Sequence, residues 1–86
     1  MGQREKFLAK ILRGMNDSDI AFDELCQLLY YFGFSSRVKG SHHIFYRDDI
    51  DEIINIQPIG GKAKAYQVKH VRNIIINYKL GDELGV

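Results

Sequence analysis

The most unusual stretch of the sequence is Gly40-Ser41-His42-His43, in which two adjacent histidines follow a glycine and a serine. A histidine with an unperturbed pKa of ~6.5 can both accept and release a proton near neutral pH. Cleavage of RNA needs a base for the 2′-hydroxyl, an acid for the leaving oxygen and positive charge for the phosphate. Gly40 would let the backbone approach a phosphate, which the hydroxyl and amide of Ser41 could bind. These residue types suit phosphodiester cleavage, although on the residues alone a surface hairpin is the commoner explanation.

The sequence offers little support for a metal site or a cofactor. Adjacent histidines on a strand point to opposite faces, so His42 and His43 are not expected to bind one metal ion. His70 is the only other histidine and Cys26 is the only cysteine. The apolar helical neighbours of Cys26 favour a small buried residue over a nucleophile. A single cysteine excludes an internal disulfide, which fits a reducing cytoplasm.

Positive charge for a phosphate could come from Lys39, beside the motif, and from Lys62 and Lys64, which follow two glycines. From Arg37 to Arg72 there are seven basic residues and four acidic residues, and the acidic ones are bunched within 48–52. The basic residues could therefore share one face of the domain. The formal net charge of +1 gives no argument of its own for nucleic acid, and solvated loops explain the lysines equally well.

Hydrophobic spacing predicts the elements that would position this motif. Two helices are expected over residues 3–13 and about 20–32, with Asp19 as the cap of the second and Gly33 as its end. Short strands are expected at 34–38, 42–47 and 53–57, with a connection at 48–51 and a loop at 59–62. A last helix should cover about 64–78, before a loose tail at 81–86. Alternation in the second strand places His42 and His43 on opposite faces.

This order predicts an α+β fold, in which a three-stranded antiparallel sheet has one apolar face covered by helices. The 86 residues suit a single domain over the whole chain. No apolar run approaches the ~18–20 residues that cross a bilayer, so no membrane contact is expected. The N-terminus is amphipathic rather than uniformly apolar, unlike a signal peptide.

The pair Gly33-Phe34 and the stretch from Arg37 to Tyr46 resemble the signature of HicA-type toxins, the mRNA interferases of HicA/HicB toxin–antitoxin systems. In that family a helix ending in Gly-Phe precedes a Lys-Gly-Ser-His hairpin, a strand ending in proline and a Gly-Lys loop. Gln57-Pro58 and Gly61-Lys62 stand at the matching places. The resemblance covers about residues 20–80 and leaves 1–14 as an additional N-terminal helix. It implies a fold like a double-stranded-RNA-binding domain, with the core order α-β-β-β-α.

The resemblance also implies a function. It suggests a cytoplasmic endoribonuclease that cleaves messenger RNA without a metal or cofactor and is neutralised by a HicB-type antitoxin, with no DNA contact by this chain alone. His42 matches the catalytic histidine where the family motif reads Gly-x-His, and His43 matches it where the motif reads Gly-Ser-x-His. We favour His42 and keep His43 as the second candidate, with Lys39, Gly40, Ser41, Lys62 and Lys64 as RNA-binding residues.

Two other hypotheses stay open at this point. Many family members carry a histidine shortly after the third-strand proline, where this chain has Ile59-Gly60-Gly61. The second proton-transfer group is therefore unassigned, and a non-catalytic RNA-binding module of the same fold is the alternative. A protein-interaction domain is the third hypothesis, for which the low net charge is the only argument.

Overall fold

The computed structural model describes the backbone of residues 2–84 and the side chains of residues 2–82. Its three α-helices are α1 (Gln3–Arg13), α2 (Phe22–Tyr31) and α3 (Ala65–Asn77). Short 3₁₀ helices cover Asp17–Asp19 and Leu80–Leu84. Within the described residues, no helix combines the length and the apolar character that crossing a bilayer requires.

Three strands form an antiparallel sheet in chain order: β1 (Ser35–Lys39), β2 (His42–Arg47) and β3 (Ile50–Ile56). A separate two-stranded hairpin follows, made of β4 (Pro58–Ile59) and β5 (Lys62–Ala63). The predicted α+β fold, with a three-stranded antiparallel sheet on helices and the core order α2-β1-β2-β3-α3, is confirmed.

The helices cover one face of the sheet. Phe45 of β2 and Ile54 and Ile56 of β3 are fully buried on that face and join one hydrophobic cluster with residues of all three helices. The additional helix α1 contributes to the same cluster through Leu8 and Ile11, which have no exposed surface. Helix α1 is therefore part of the core, because its apolar residues recur on one side at helical spacing.

Gly33 ends α2 as predicted. Its φ of +87° is a left-handed conformation that a glycine adopts without steric cost. The N–H of Gly33 donates to the carbonyl of Tyr30 at 3.0 Å, and the N–H of Phe34 donates to the carbonyl of Leu29 at 3.1 Å. This pair of bonds is a Schellman motif, which satisfies the last carbonyls of the helix and turns the chain toward β1.

The start of α2 differs from the prediction, because Asp19 does not cap it. The N-cap residue is Ala21, and no side chain donates or accepts a capping bond there. The N–H of Phe22 instead donates to the carbonyl of Gly61 in the β4–β5 turn, at 3.0 Å. The carbonyl of Gly61 thus accepts a free N–H of the first helical turn, which a side-chain oxygen of the N-cap residue accepts in most helices. Asp19 instead forms ion pairs with Lys62 and Lys10.

Two further boundaries were wrong. The connection expected at 48–51 is only Asp48-Asp49, because Ile50 pairs with Arg47 and is buried at the start of β3. The loop expected at 59–62 is the tight β4–β5 turn, whose two glycines both have positive φ. The tail expected to be loose at 81–86 begins within the 3₁₀ helix Leu80–Leu84, which starts at buried Leu80. Residues 85–86 lie outside the described part, and the looseness of the tail stays a prediction.

Candidate functional site

The Gly-Ser-His-His motif forms the turn between β1 and β2. Lys39 pairs with His42 as the last cross-strand pair, so Gly40 and Ser41 alone make the turn. Gly40 has a φ of +62°, and a Cβ built there would meet no atom within 4 Å. The glycine is therefore required by the backbone conformation rather than by lack of space, and the turn is open to a ligand.

The sheet face opposite the helices, called the outer face here, carries His42. Strand alternation and cross-strand pairing assign nine side chains to this face. All of them are exposed except half-buried Ile44, and none of the described helices covers them. They are Ser35, Arg37 and Lys39 of β1, His42, Ile44 and Tyr46 of β2, and Asp51, Ile53 and Asn55 of β3.

Asn55 orients the ring of His42. The Nδ1 atom of His42 lies 3.1 Å from Oδ1 of Asn55, its diagonal neighbour on β3. An amide oxygen only accepts hydrogen bonds, so Nδ1 of a neutral His42 carries the proton. Nε2 is then the basic nitrogen, and it is free to take a proton from a ligand on the exposed face. This is the arrangement that a general base requires.

His43 occupies the other face of the sheet. Its ring is half-buried and lies edge-on to Phe22 at the start of α2, with the ring centroids 4.8 Å apart and the planes at 71°. The predicted separation of the two histidines is therefore confirmed. His42 and His43 are presented on opposite sides of β2, so they cannot act together on one bond.

Lys39 and His42 are direct cross-strand neighbours. Such neighbours have Cβ atoms ~5 Å apart and extend from the same face of the sheet. The Lys39 ammonium and the His42 ring can therefore contact the same phosphate. A phosphate-binding lysine that assists His42 must have this placement.

A hydrogen-bonded chain connects Ser41 to Lys64. Gln57 donates from Nε2 to the Ser41 hydroxyl at 2.9 Å, and its Oε1 accepts from the Lys64 ammonium at 3.4 Å. Buried Gln67 holds the backbones of Gln57 and Lys64 together, because its Oε1 accepts the N–H of Gln57 at 3.2 Å and the N–H of Lys64 at 3.3 Å. The predicted residues Ser41 and Lys64 therefore belong to one polar network at the motif end of the sheet.

Lys62 has a different environment. Its ammonium lies 2.5 Å from Oδ1 of Asp19, and Lys10 lies 3.9 Å from the other carboxylate oxygen. The hydrogen bond and charge of Lys62, with a smaller effect of Lys10, hold the pKa of Asp19 below its ordinary value. The charge of Lys62 is thus largely matched by a carboxylate, so this lysine is less available to a phosphate than Lys39 is.

The basic residues between Arg37 and Arg72 do not share one face, contrary to the expectation. Arg72 lies on α3 and forms a two-pronged ion pair with Asp17, with N–O distances of 2.8 and 3.1 Å. Arg47 points to the helix side and donates to a carbonyl at the end of α2. Among the described residues, Arg37 and Lys39 alone of these basic residues lie on the outer face, because strand alternation places Arg47 on the helix side and the others lie outside the three-stranded sheet.

Three polar residues of the site were not singled out from the sequence: Asn55, Gln67 and, as a hydrogen-bonding group, Gln57. Asn55 has a signal in the pattern, because it is an exposed polar residue at an outward position of an isoleucine-rich strand. Gln67 is the third residue of α3, where a glutamine that accepts the N–H of the N-cap residue is a recognised pattern, but nothing in its neighbours indicates the second contact, with the backbone N–H of Gln57.

Cys26 is half-buried against the core, and burial, together with the charge of Asp23, raises the pKa of its thiol to about 11. Such a thiol is a poor nucleophile, as its placement in the sequence indicates. Among the described residues, no group of three or more histidine, cysteine, aspartate or glutamate side chains is placed to hold a metal ion.

Comparisons with protein-family models, curated proteins and solved structures found no match to this chain. The motif residues and their geometry are therefore the basis for a functional proposal.

Proposed function

We propose that the protein is a HicA-like endoribonuclease, which cleaves messenger RNA by proton transfer at His42 without a metal ion. The observation that carries the proposal is the exposed His42 ring, oriented by Asn55 and placed across the strand from Lys39. It combines an imidazole of fixed orientation with an adjacent positive charge, and phosphodiester cleavage requires both a positioned base and charge stabilisation.

In the proposed reaction Nε2 of His42 removes the proton of a ribose 2′-hydroxyl. The 2′-oxygen attacks the adjacent phosphorus, and the bond from phosphorus to the 5′-oxygen of the next nucleotide breaks. The products are a 2′,3′-cyclic phosphate and a 5′-hydroxyl, whose proton is supplied by water or by the His42 imidazolium. Lys39 stabilises the charge that develops on the phosphate oxygens, and the Gly40-Ser41 turn provides backbone and hydroxyl donors.

The resemblance to HicA-type toxins supports two further parts of the proposal. A cytoplasmic location suits a protein that acts on messenger RNA and keeps Cys26 as a free thiol. A HicB-type antitoxin would neutralise the enzyme by binding it. Both are parts of this proposal and follow from the motif rather than from a contact in the fold.

A non-catalytic RNA-binding module is the second candidate. The observation that favours it is that the hydrogen-bonding partner of His42 is the neutral amide of Asn55 rather than a second titratable group. A single histidine must then act as both base and acid, or water must protonate the leaving oxygen.

The two candidates differ in what happens to bound RNA. We would incubate the protein in excess chelator with an RNA and with the same sequence carrying 2′-O-methyl groups. The proposal predicts cleavage of the RNA only, with 2′,3′-cyclic phosphate ends, since the methylated strand lacks the attacking hydroxyl. Folded protein that binds both strands and cleaves neither would be a binding module, and the catalytic proposal would be wrong.

A further inference from the structure

The outer face extends well beyond His42, and its composition is uneven. Basic Arg37 and Lys39 line the β1 side, while the single acidic residue, Asp51, occupies the start of β3. Because Asn55 is at the other end of β3, next to His42, the negative charge lies at the corner far from the motif. A polyanion that reaches His42 is therefore attracted along β1.

An exposed aromatic ring stands on the same face. Tyr46 is 38% exposed, and the guanidinium carbon of Arg37 lies 5.9 Å from the centre of its ring. Ile44 lies between His42 and Tyr46 on β2, and Ile53 on β3 is 59% exposed. The face thus offers aromatic and aliphatic side chains with positive charge along β1 and one carboxylate, Asp51, at the start of β3. Aromatic side chains beside a basic strand are the composition of single-stranded nucleic-acid platforms.

We infer that the outer face binds single-stranded RNA, with one base stacked on Tyr46 and phosphates contacting Arg37 and Lys39. This inference rests on the proposed function and names the form of RNA and the residues that hold it. A base can stack on a side chain only when it is not already stacked within a helix, so paired RNA cannot use Tyr46 in this way.

The spacing fixes which nucleotide Tyr46 binds. His42 and Tyr46 are four residues apart on one strand, which is ~13 Å at ~3.3 Å per residue. The base on Tyr46 is therefore not attached to the ribose whose 2′-hydroxyl meets His42. Tyr46 acts on a neighbouring nucleotide and contributes to binding rather than to proton transfer.

A protein partner could also cover a flat face with an aromatic residue. RNA is favoured because both basic side chains of the face lie on the edge strand β1 beside the motif, where a phosphate chain leading to His42 would pass. Neither Arg37 nor Lys39 is opposite an acidic residue across the strands, since their partners are Ile44 and His42.

The test is fluorescence anisotropy with a 2′-O-methyl single-stranded oligonucleotide, which cannot be cleaved, and with a fully paired hairpin of the same length. Tyr46→Ala should weaken binding of the single strand about 10-fold, and Tyr46→Phe should leave it unchanged because the ring is kept. Tyr31→Ala is the matched control, because Tyr31 is similarly exposed, at 42%, but lies on α2. Arg37→Gln should reduce the slope of log affinity against log salt by about 0.7. A thermal melt of each variant verifies its folding.

The outcomes separate this inference from the proposed function. If the wild type cleaves RNA but Tyr46→Ala binds the single strand as tightly as the wild type, the outer face is not the RNA surface, and a protein partner is the better occupant. Equal or tighter binding of the paired hairpin also overturns the inference. If the wild type binds neither RNA at low salt, both the inference and the proposed function are wrong.

Discussion

The additional helix α1 is predicted to contribute strongly to the stability of the fold, because its apolar residues belong to the hydrophobic core. Leu8 is fully buried among the core residues. Replacing a fully buried leucine by alanine costs about 2–5 kcal/mol, through lost burial and the cavity left behind. A domain of this size has a total stability of about 4–13 kcal/mol. Leu8→Ala should therefore remove about 3 kcal/mol, a large share of the stability, and lower the Tm by about 12–24 °C.

The assay is urea denaturation followed by circular dichroism, with the wild type and Met15→Ala as references. Met15 follows α1 and is 80% exposed, so its truncation should change the unfolding free energy by less than ~0.5 kcal/mol. The urea concentration at the midpoint of unfolding should fall for Leu8→Ala, while the slope of the unfolding free energy against urea concentration stays the same. A loss of less than about 1 kcal/mol for Leu8→Ala would show that α1 is not docked in the core, and this account of the additional helix would be wrong.

Three further predictions concern groups outside the motif. Arg72→Met breaks the half-buried ion pair with Asp17 and should lower the unfolding free energy by about 2–3 kcal/mol in the same assay; an unchanged midpoint would contradict the pairing. Burial raises the pKa of Cys26 to about 11, so iodoacetamide at pH 8 should alkylate native protein on the order of 100-fold more slowly than urea-unfolded protein, and equal rates would refute the burial. The Tyr78 hydroxyl donates to Glu52 at 2.5 Å and lowers the pKa of that carboxyl. Tyr78→Phe should raise the pKa of Glu52 toward its ordinary value in an NMR titration. The stabilising effect of this bond is present at neutral pH and lost as the pH falls through the pKa of Glu52.

Local sequence patterns predicted the elements that depend on local interactions. The alternation along β2 placed the two histidines on opposite faces, and the contacts of His42 with Asn55 and of His43 with Phe22 agree. Gly33 was recognisable as the end of α2 because a left-handed conformation at a helix end favours glycine. Both patterns depend only on residues that are close in the sequence to the position whose structure they predict.

Features that depend on distant segments were missed. Asp19 looked like a helix cap, but the carbonyl that accepts the first N–H of α2 belongs to Gly61, about forty residues later in the chain. The acidic residues that flank Ile50 in the sequence indicated a turn, but β3 begins at Ile50. Its burial results from packing against distant core residues and is not indicated by the adjacent sequence. Likewise, Gln67 joins the site only because α3 returns to the end of β3.

The central claim is that His42 transfers the proton in RNA cleavage. The most direct measurement is the cleavage rate of a labelled RNA in excess chelator for the wild type, His42→Ala and His43→Ala, with each protein shown to be folded. We expect His42→Ala to lose ~10²–10⁴-fold in rate, and His43→Ala, which changes the opposite face of the sheet, to keep most of the wild-type rate. Loss of cleavage in His43→Ala with full activity in His42→Ala would assign catalysis to the helix side of the sheet and contradict the account.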